Sequence, residues 1–243
     1  MANHALLNNV DHKDLKIITS RSADYGDNVM STMTFADEFR SVQAHYPIFF
    51  HKQSDTGNFQ AVAVFGFEEG ENLFLDADGW DASYIPLTIE RQPFLIGYQA
   101  ATGTGSASGG RQTVIHVDMD SPRISQSEGE AVFLEHGGLT PYIERINSVL
   151  HTIHDGVQRD ATFIAALLEF DLLESFTLDI ELNDGAKYRM AGFYTINEEK
   201  LGELDGEALA KLSRAGHLQP IYMAIASLSN IRDLIDRRNA RLE

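Results

Sequence analysis

Residues 46–67 read YPIFFHKQSDTGNFQAVAVFGF, and this stretch decides the fold. Two apolar runs, 46–52 and 59–67, are rich in aromatic and β-branched residues and flank the polar sequence Ser54-Asp55-Thr56-Gly57-Asn58. Such runs punctuated by Asp, Gly and Asn predict a β-hairpin, because those residues accept turn conformations that β-branched residues refuse. The segment Ala61-Val62-Ala63-Val64-Phe65 does not alternate, so both faces of its strand are expected to be covered. A strand covered on both faces lies inside a sheet, and helices elsewhere in the chain must supply the cover.

Those helices are expected downstream. Thr140 and Pro141 supply an N-cap and a first helical residue, and Ile143, Ile146, Leu150 and Ile153 follow at helical spacing. Phe163, Ile164, Leu167 and Leu168 mark a second amphipathic helix. Residues 177–182 alternate as TLDIEL, Asp184-Gly185 supplies a tight turn and 187–196 return, which predicts a second hairpin over about 176–196. Closing helices are expected at 207–215, ending on Gly216, and at 221–241. On the last of these Arg232, Arg237, Arg238 and Arg241 interleave with Asp233 and Asp236, the pattern of a solvated face.

Upstream, 15–19 read as a short strand and 35–42 as a helix capped by Thr34. Residues 99–112, QAATGTGSASGGRQ, are small and polar and are expected to form a flexible surface loop before a strand at 113–117. The fold class is therefore α+β: a mainly antiparallel sheet with hairpins at 46–67 and 176–196, packed against amphipathic helices in the C-terminal half. No internal repeat is present, and residues 1–243 are expected to form a single domain.

Composition narrows function by exclusion. Nineteen Lys and Arg against 36 Asp and Glu give a net charge of −17, a field that repels phosphate backbones, so nucleic acid is not an expected partner. The absence of cysteine removes disulfides, thiolate metal sites and a cysteine nucleophile. The first fourteen residues lack the apolar core of about 7 to 15 residues that a secretory signal needs, so a cytoplasmic station is expected, with non-classical export the route to a cell surface. No apolar run approaches the roughly 18 residues of a transmembrane helix.

Three constellations carry potential chemistry. His116-Val117-Asp118 places two ligand-type side chains on one face of a strand, and His151 or His154 would complete a 2-His-1-carboxylate Fe(II) site, the ligand set of a non-haem iron oxygenase with an oxo-acid cosubstrate. Asn72, Asp76, Trp80, Tyr84 and Arg91 lie within one short segment and combine stacking surface with hydrogen-bonding groups, which suits a glycan or small-ligand module. Asp76-Ala77-Asp78-Gly79-Trp80-Asp81 misses the spacing of a calcium loop and reads as a polar turn. The glycines at 103, 105 and 109 have no Lys-Ser/Thr pair after them, and no G-x-S-x-G elbow occurs, so phosphate-loop and α/β-hydrolase readings fall away.

Taken together, Tyr46-Pro47-Ile48-Phe49-Phe50, Thr56-Gly57-Asn58-Phe59, Gly70-Glu71-Asn72-Leu73-Phe74-Leu75-Asp76, Tyr84-Ile85-Pro86, Arg91-Gln92-Pro93-Phe94, Asp120-Ser121-Pro122-Arg123, Ala191-Gly192-Phe193-Tyr194 and Gly216-His217-Leu218 resemble, in order and spacing, the bacterial SapC family over about residues 5–237. The resemblance implies an accessory or binding protein associated with the bacterial surface layer or envelope, with a protein or surface glycan as partner. The oxygenase and the glycan or small-ligand module stand as alternatives to it.

Overall fold

The structure, a computed structural model, describes residues 3–100 and 111–242. In chain order the first half holds β1 (His4–Leu6), β2 (Lys16–Ile17), a 3-10 turn at Ala23–Tyr25, β3 (Ser31–Met33), α1 (Phe39–Val42), β4 (Ile48–Lys52), β5 (Phe59–Val64), β6 (Leu75–Asp76), β7 (Gly79–Trp80), α2 (Leu87–Glu90), β8 (Phe94–Ala100) and β9 (Arg111–Asp118). The second half holds β10 (Ile124–Ser125), β11 (Glu130–Ala131), α3 (Pro141–Glu169), β12 (Leu173–Glu181), β13 (Lys187–Ile196), α4 (Glu198–Glu203), α5 (Gly206–Arg214), α6 (Leu218–Ser227) and α7 (Asn230–Ala240). The α+β class read from the sequence is what the chain forms. β8 extends to residue 100 and β9 starts at 111; residues 101–110 of the expected glycine-rich loop lie outside the described residues.

Both hairpins form. β4 and β5 pair antiparallel from Ile48↔Ala63 to Lys52↔Phe59, and Gly57 closes the turn at φ 72°, donating its N–H to the Gln53 carbonyl at 2.8 Å. They sit within a five-stranded antiparallel sheet of order β12-β13-β4-β5-β3. Consecutive Phe49 and Phe50 are both fully buried, so the sheet is covered on two sides. Phe49 lies 4.9 Å from Phe176 and 5.4 Å from Phe193, while Phe50 lies 6.3 Å from Phe163 of α3. Each such ring contributes roughly 2–3 kcal/mol through burial. A three-stranded sheet, β1-β9-β8, carries the second hydrophobic cluster with Phe94, Val117, Ile143, Ile146 and Leu150.

One helix replaces the two expected between 141 and 168. α3 runs 29 residues from Thr140, whose hydroxyl accepts the Ile143 N–H, and it serves both clusters: its first half covers β8 and β9, its second half the five-stranded sheet. Gly156 lies buried in its interior. A Cβ at that position would lie 2.3 Å from Cδ2 of Phe35, so the glycine is a packing device that lets an aromatic ring press on the helix backbone.

The helix expected at 35–42 is shorter. Thr34 does not cap it; its hydroxyl donates to Glu38 at 2.8 Å, residues 36–38 form a turn, and the acceptor for the Ala36 N–H is Asp160 of α3 at 2.9 Å. The expected 221–241 helix is two, α6 and α7. Buried Ser227 donates to the Ala224 carbonyl at 2.6 Å and accepts the Ile48 N–H at 2.9 Å, so its side chain competes for helix carbonyls where the chain bends.

Arg232 is exposed, as a solvated face predicts, but Arg237, Arg238 and Arg241 depart from that pattern. Arg237 pairs with Asp81 at 2.7 Å and covers the Phe74 ring, Arg238 pairs with Glu71 and donates to Tyr188, each at 2.8 Å, and Arg241 donates to the carbonyls of Asn72 and Leu75. Three arginines thus fasten residues 68–81 to the C-terminal helix. Deeper, Asp27 (0% exposed) receives Arg123 (1% exposed) at 2.5 Å and Arg21 at 3.2 Å.

Candidate functional site

The five ligand-type residues of the 72–91 segment occur on elements that turn most of their polar groups inward. Asn72 is buried, donating to the Asp27 carbonyl and accepting from Phe74 N, both at 2.9 Å. Half-buried Trp80 donates Nε1–H to the Tyr46 hydroxyl at 2.8 Å, and that hydroxyl donates to the Tyr84 carbonyl. The Tyr84 hydroxyl donates to Glu38 at 2.9 Å. Arg91 donates to the Phe94 carbonyl at 2.6 Å, and burial lowers its pKa. Asp76 is exposed and accepts from Asp78 N at 2.8 Å in the β6–β7 turn, so 76–81 is a hairpin, as a polar turn predicts. Asn72 and Asp76 border one shallow basin with Glu71, Arg238 and Arg241, whereas Trp80, Tyr84 and Arg91 do not line it.

At the hub of this network, Glu38 accepts from Leu87 N at 2.7 Å, Thr34 at 2.8 Å and Tyr84. Burial raises its pKa, with those three hydrogen bonds opposing, and burial likewise raises Tyr46 and Tyr84. The network ties α1, α2 and residues 80–84 together and leaves little of Trp80 or Tyr84 for a sugar ring.

His116 and Asp118 share a face of β9, as period-two spacing requires, but strand parity separates them from α3. The Ile96↔Ile115 and Phe94↔Val117 pairs belong to the cluster packed on α3, so His116, paired with Leu95, occupies the other face. Its ring lies against Gly97, where a Cβ would meet it at 2.4 Å. His154 contacts Gln158 at 2.7 Å and Tyr98 at 3.4 Å on the α3 side, and His151 lines the crevice between α3 and β9. The histidine paired with Asp118 in the strand register is His4 of β1. Among the described residues no three His, Asp or Glu side chains gather as a metal-holding group, so the donors do not fit an iron ion.

The structure opens a groove elsewhere, between the second half of α3 and the β4–β5 hairpin. It has a volume of about 490 Å³. One wall carries Val157, Ala161, Ile164, Ala165 and Leu168; the other carries Met33, Phe59, Gln60 and Asn58. Leu168 is 52% and Val157 42% exposed, although the sequence expects Leu168 to face inward. Helical spacing explains both: the buried line runs Ile153, Gly156, Phe163, Ile164 and Leu167, and residues 157, 161, 165 and 168 lie beside it.

Asp160 stands on that buried line and is 8% exposed. Its Oδ1 accepts the Ala36 N–H at 2.9 Å, while Oδ2 has no hydrogen-bond partner among the described residues. Burial pushes its pKa up to about 6, the Ala36 N–H opposes the shift and Asp37 adds to it. Asp160 also borders a second depression, together with Arg40, Arg159 and His217; Arg159 pairs with Asp37 at 2.6 Å, and burial lowers the His217 pKa. Sequence reading missed Asp160, yet the signal is there: an acidic residue at i+4 from Gly156 and i−3 and i−4 from Phe163 and Ile164, in the core-facing register of an amphipathic helix.

An antiparallel sheet closed by a long bridging helix with an open amphipathic groove defines the class as an α+β protein with a ligand-sized surface cleft. The chain belongs to the SapC family, whose family model matches residues 7–234, a span that takes in every motif carrying the resemblance. Comparisons with curated proteins and with solved structures return no match. No helix among the described residues is long and apolar enough to cross a membrane.

Proposed function

We infer that this SapC-family chain is an accessory protein that works by binding, with the groove between α3 and the β4–β5 hairpin as its ligand surface, and that its station is the bacterial surface layer or envelope. One observation carries the reading: an open groove of ligand size exposes Leu168 and Val157 beside a buried carboxylate. Sites for small ligands are concave, mainly apolar and set with a few polar groups, and the groove meets that description. The inward hydrogen bonds of Trp80, Tyr84 and Arg91 favour this surface over the 72–91 segment. The family's association with surface-layer loci supports the envelope station.

Two measurements test the reading. Titration of amphiphiles and oligosaccharides into isotopically labelled protein is expected to move the amide resonances of Val157, Ala161, Ala165 and Leu168; movement confined to 72–91 would transfer the site there. Fractionation of cells is expected to recover the chain with the envelope. Recovery only in the cytosol, without an envelope partner, would remove the surface station and leave an intracellular accessory role.

A further inference from the structure

We propose that the groove selects an amphipathic cation, a small molecule with an aliphatic body and a single alkylammonium head, the body lying along Val157, Ile164 and Leu168 and the head donating to Oδ2 of Asp160. This rests on the groove being the ligand surface, and it adds the chemistry of the occupant.

Among the described residues lining the groove, Asp160 is the one charged group; Thr34, Gln53, Asn58 and Gln60 are neutral and the rest is apolar or glycine. Asp160 is 8% exposed, and no group among the described residues bonds Oδ2, which keeps contact with solvent; the carboxylate is thus only partly hydrated and gains from a cationic partner. The fold supplies Oδ1 with a neutral N–H and leaves Oδ2 to solvent. The guanidiniums of Arg40 and Arg159 line the second depression that Asp160 borders, but among the described residues neither forms an ion pair with Asp160, and Arg159 is taken by Asp37. An incoming ammonium is therefore the group that completes the pair, and the overall charge of −17 draws cations and repels carboxylate amphiphiles.

The apolar wall decides the remainder of the ligand. Leu168 and Val157 expose side chains that an aliphatic chain would cover, whereas a sugar would leave them dry without offering contact.

The pH dependence follows from the facing groups. Asp160 is packed against residues 34–37, which bring Asp37, and its own helix brings Arg159; Arg40 of α1 and His217, ahead of α6, share with it the second depression. An alkylammonium, like a lysine side chain with its pKa near 10.4, keeps its charge throughout the neutral and acidic range. Binding should therefore weaken as pH falls through about 6, where Asp160 takes up a proton.

The test uses n-octylamine, n-octanol and n-octanoate, each titrated into the full chain at pH 7.5 with amide resonances as readout. Octylamine is expected to bind in the groove at least about tenfold more tightly than octanol, as a charge-assisted hydrogen bond requires, with octanoate weakest. In Asp160→Asn, which keeps an oxygen for the Ala36 N–H, the advantage of the amine should vanish, and in the unaltered protein it should shrink at pH 5. Equal binding of octylamine and octanol overturns the ammonium inference and leaves the groove standing as ligand surface. No binding by any of the three, or binding away from α3, overturns both. If Asp160→Asn fails to fold, the comparison of octylamine with octanol on the unaltered chain decides.

Discussion

Asp160 of α3 accepts the N–H of Ala36 at 2.9 Å, across 124 positions of sequence, with its other oxygen free of any partner among the described residues. A carboxylate held this way has opposite consequences for folding and for binding, and the first is measurable without a ligand. Its folded pKa, about 6, lies above the unfolded value of about 3.8, so the folded state holds the proton more tightly. The fold is then most stable with Asp160 protonated, and it loses stability as pH rises from about 4 to about 6. A shift of this size corresponds to about 3 kcal/mol at most.

Asp160→Asn removes the charge and keeps the acceptor. It should raise stability at pH 7.5 by about 1–3 kcal/mol, and the gain should disappear near pH 4. Asp160→Ala also orphans the Ala36 N–H and should be less stable than Asp160→Asn by about 1–2 kcal/mol. Thermal melts across pH check both; an Asn variant no more stable than the parent at pH 7.5 contradicts the burial of an unpaired charge.

Gly156→Ala should destabilise even though alanine is the better helix former by about 1 kcal/mol. Its Cβ would meet the Phe35 ring at 2.3 Å, and overpacking typically costs about 1–3 kcal/mol. Phe35→Leu in the same chain should recover part of the loss. Urea denaturation of the single and double variants reads the coupling, and a stabilising Gly156→Ala would show that the ring moves aside freely.

Arg123→Met should be among the most damaging single changes. It removes the close partner of Asp27, which no solvent reaches, and breaking a buried pair from one side costs about 3–5 kcal/mol. Arg21, at 3.2 Å, remains. A loss below about 1 kcal/mol by chemical denaturation would mean that Arg21 alone satisfies the aspartate.

Much of the fold is legible in the sequence because period and turn chemistry are local. Ser54 to Asn58 and Asp184-Gly185 announce both hairpins, and Thr140-Pro141 announces the start of α3. What stays hidden is written in contacts between distant residues. The 141–168 stretch looks like two helices until one continuous helix is seen to serve both clusters, Thr34 looks like a cap until Asp160 takes the Ala36 N–H, and Arg237 and Arg238 look solvated until residues 71–81 fold under them. The groove is hidden for the same reason. Its two walls are more than ninety positions apart in places, and only the register of Asp160 on its helix hints at it.

The central claim, that the groove beside α3 is the ligand surface, is tested most directly by filling it. Ala161 is exposed and lines the groove, so Ala161→Trp blocks the space while leaving the buried line of α3 untouched. The affinity of n-octylamine for this variant and for the parent is the measurement. At least about a tenfold loss of affinity is expected, the worth of the covered apolar contact, with melting temperature unchanged. Octylamine binding to Ala161→Trp with the affinity of the parent would contradict it.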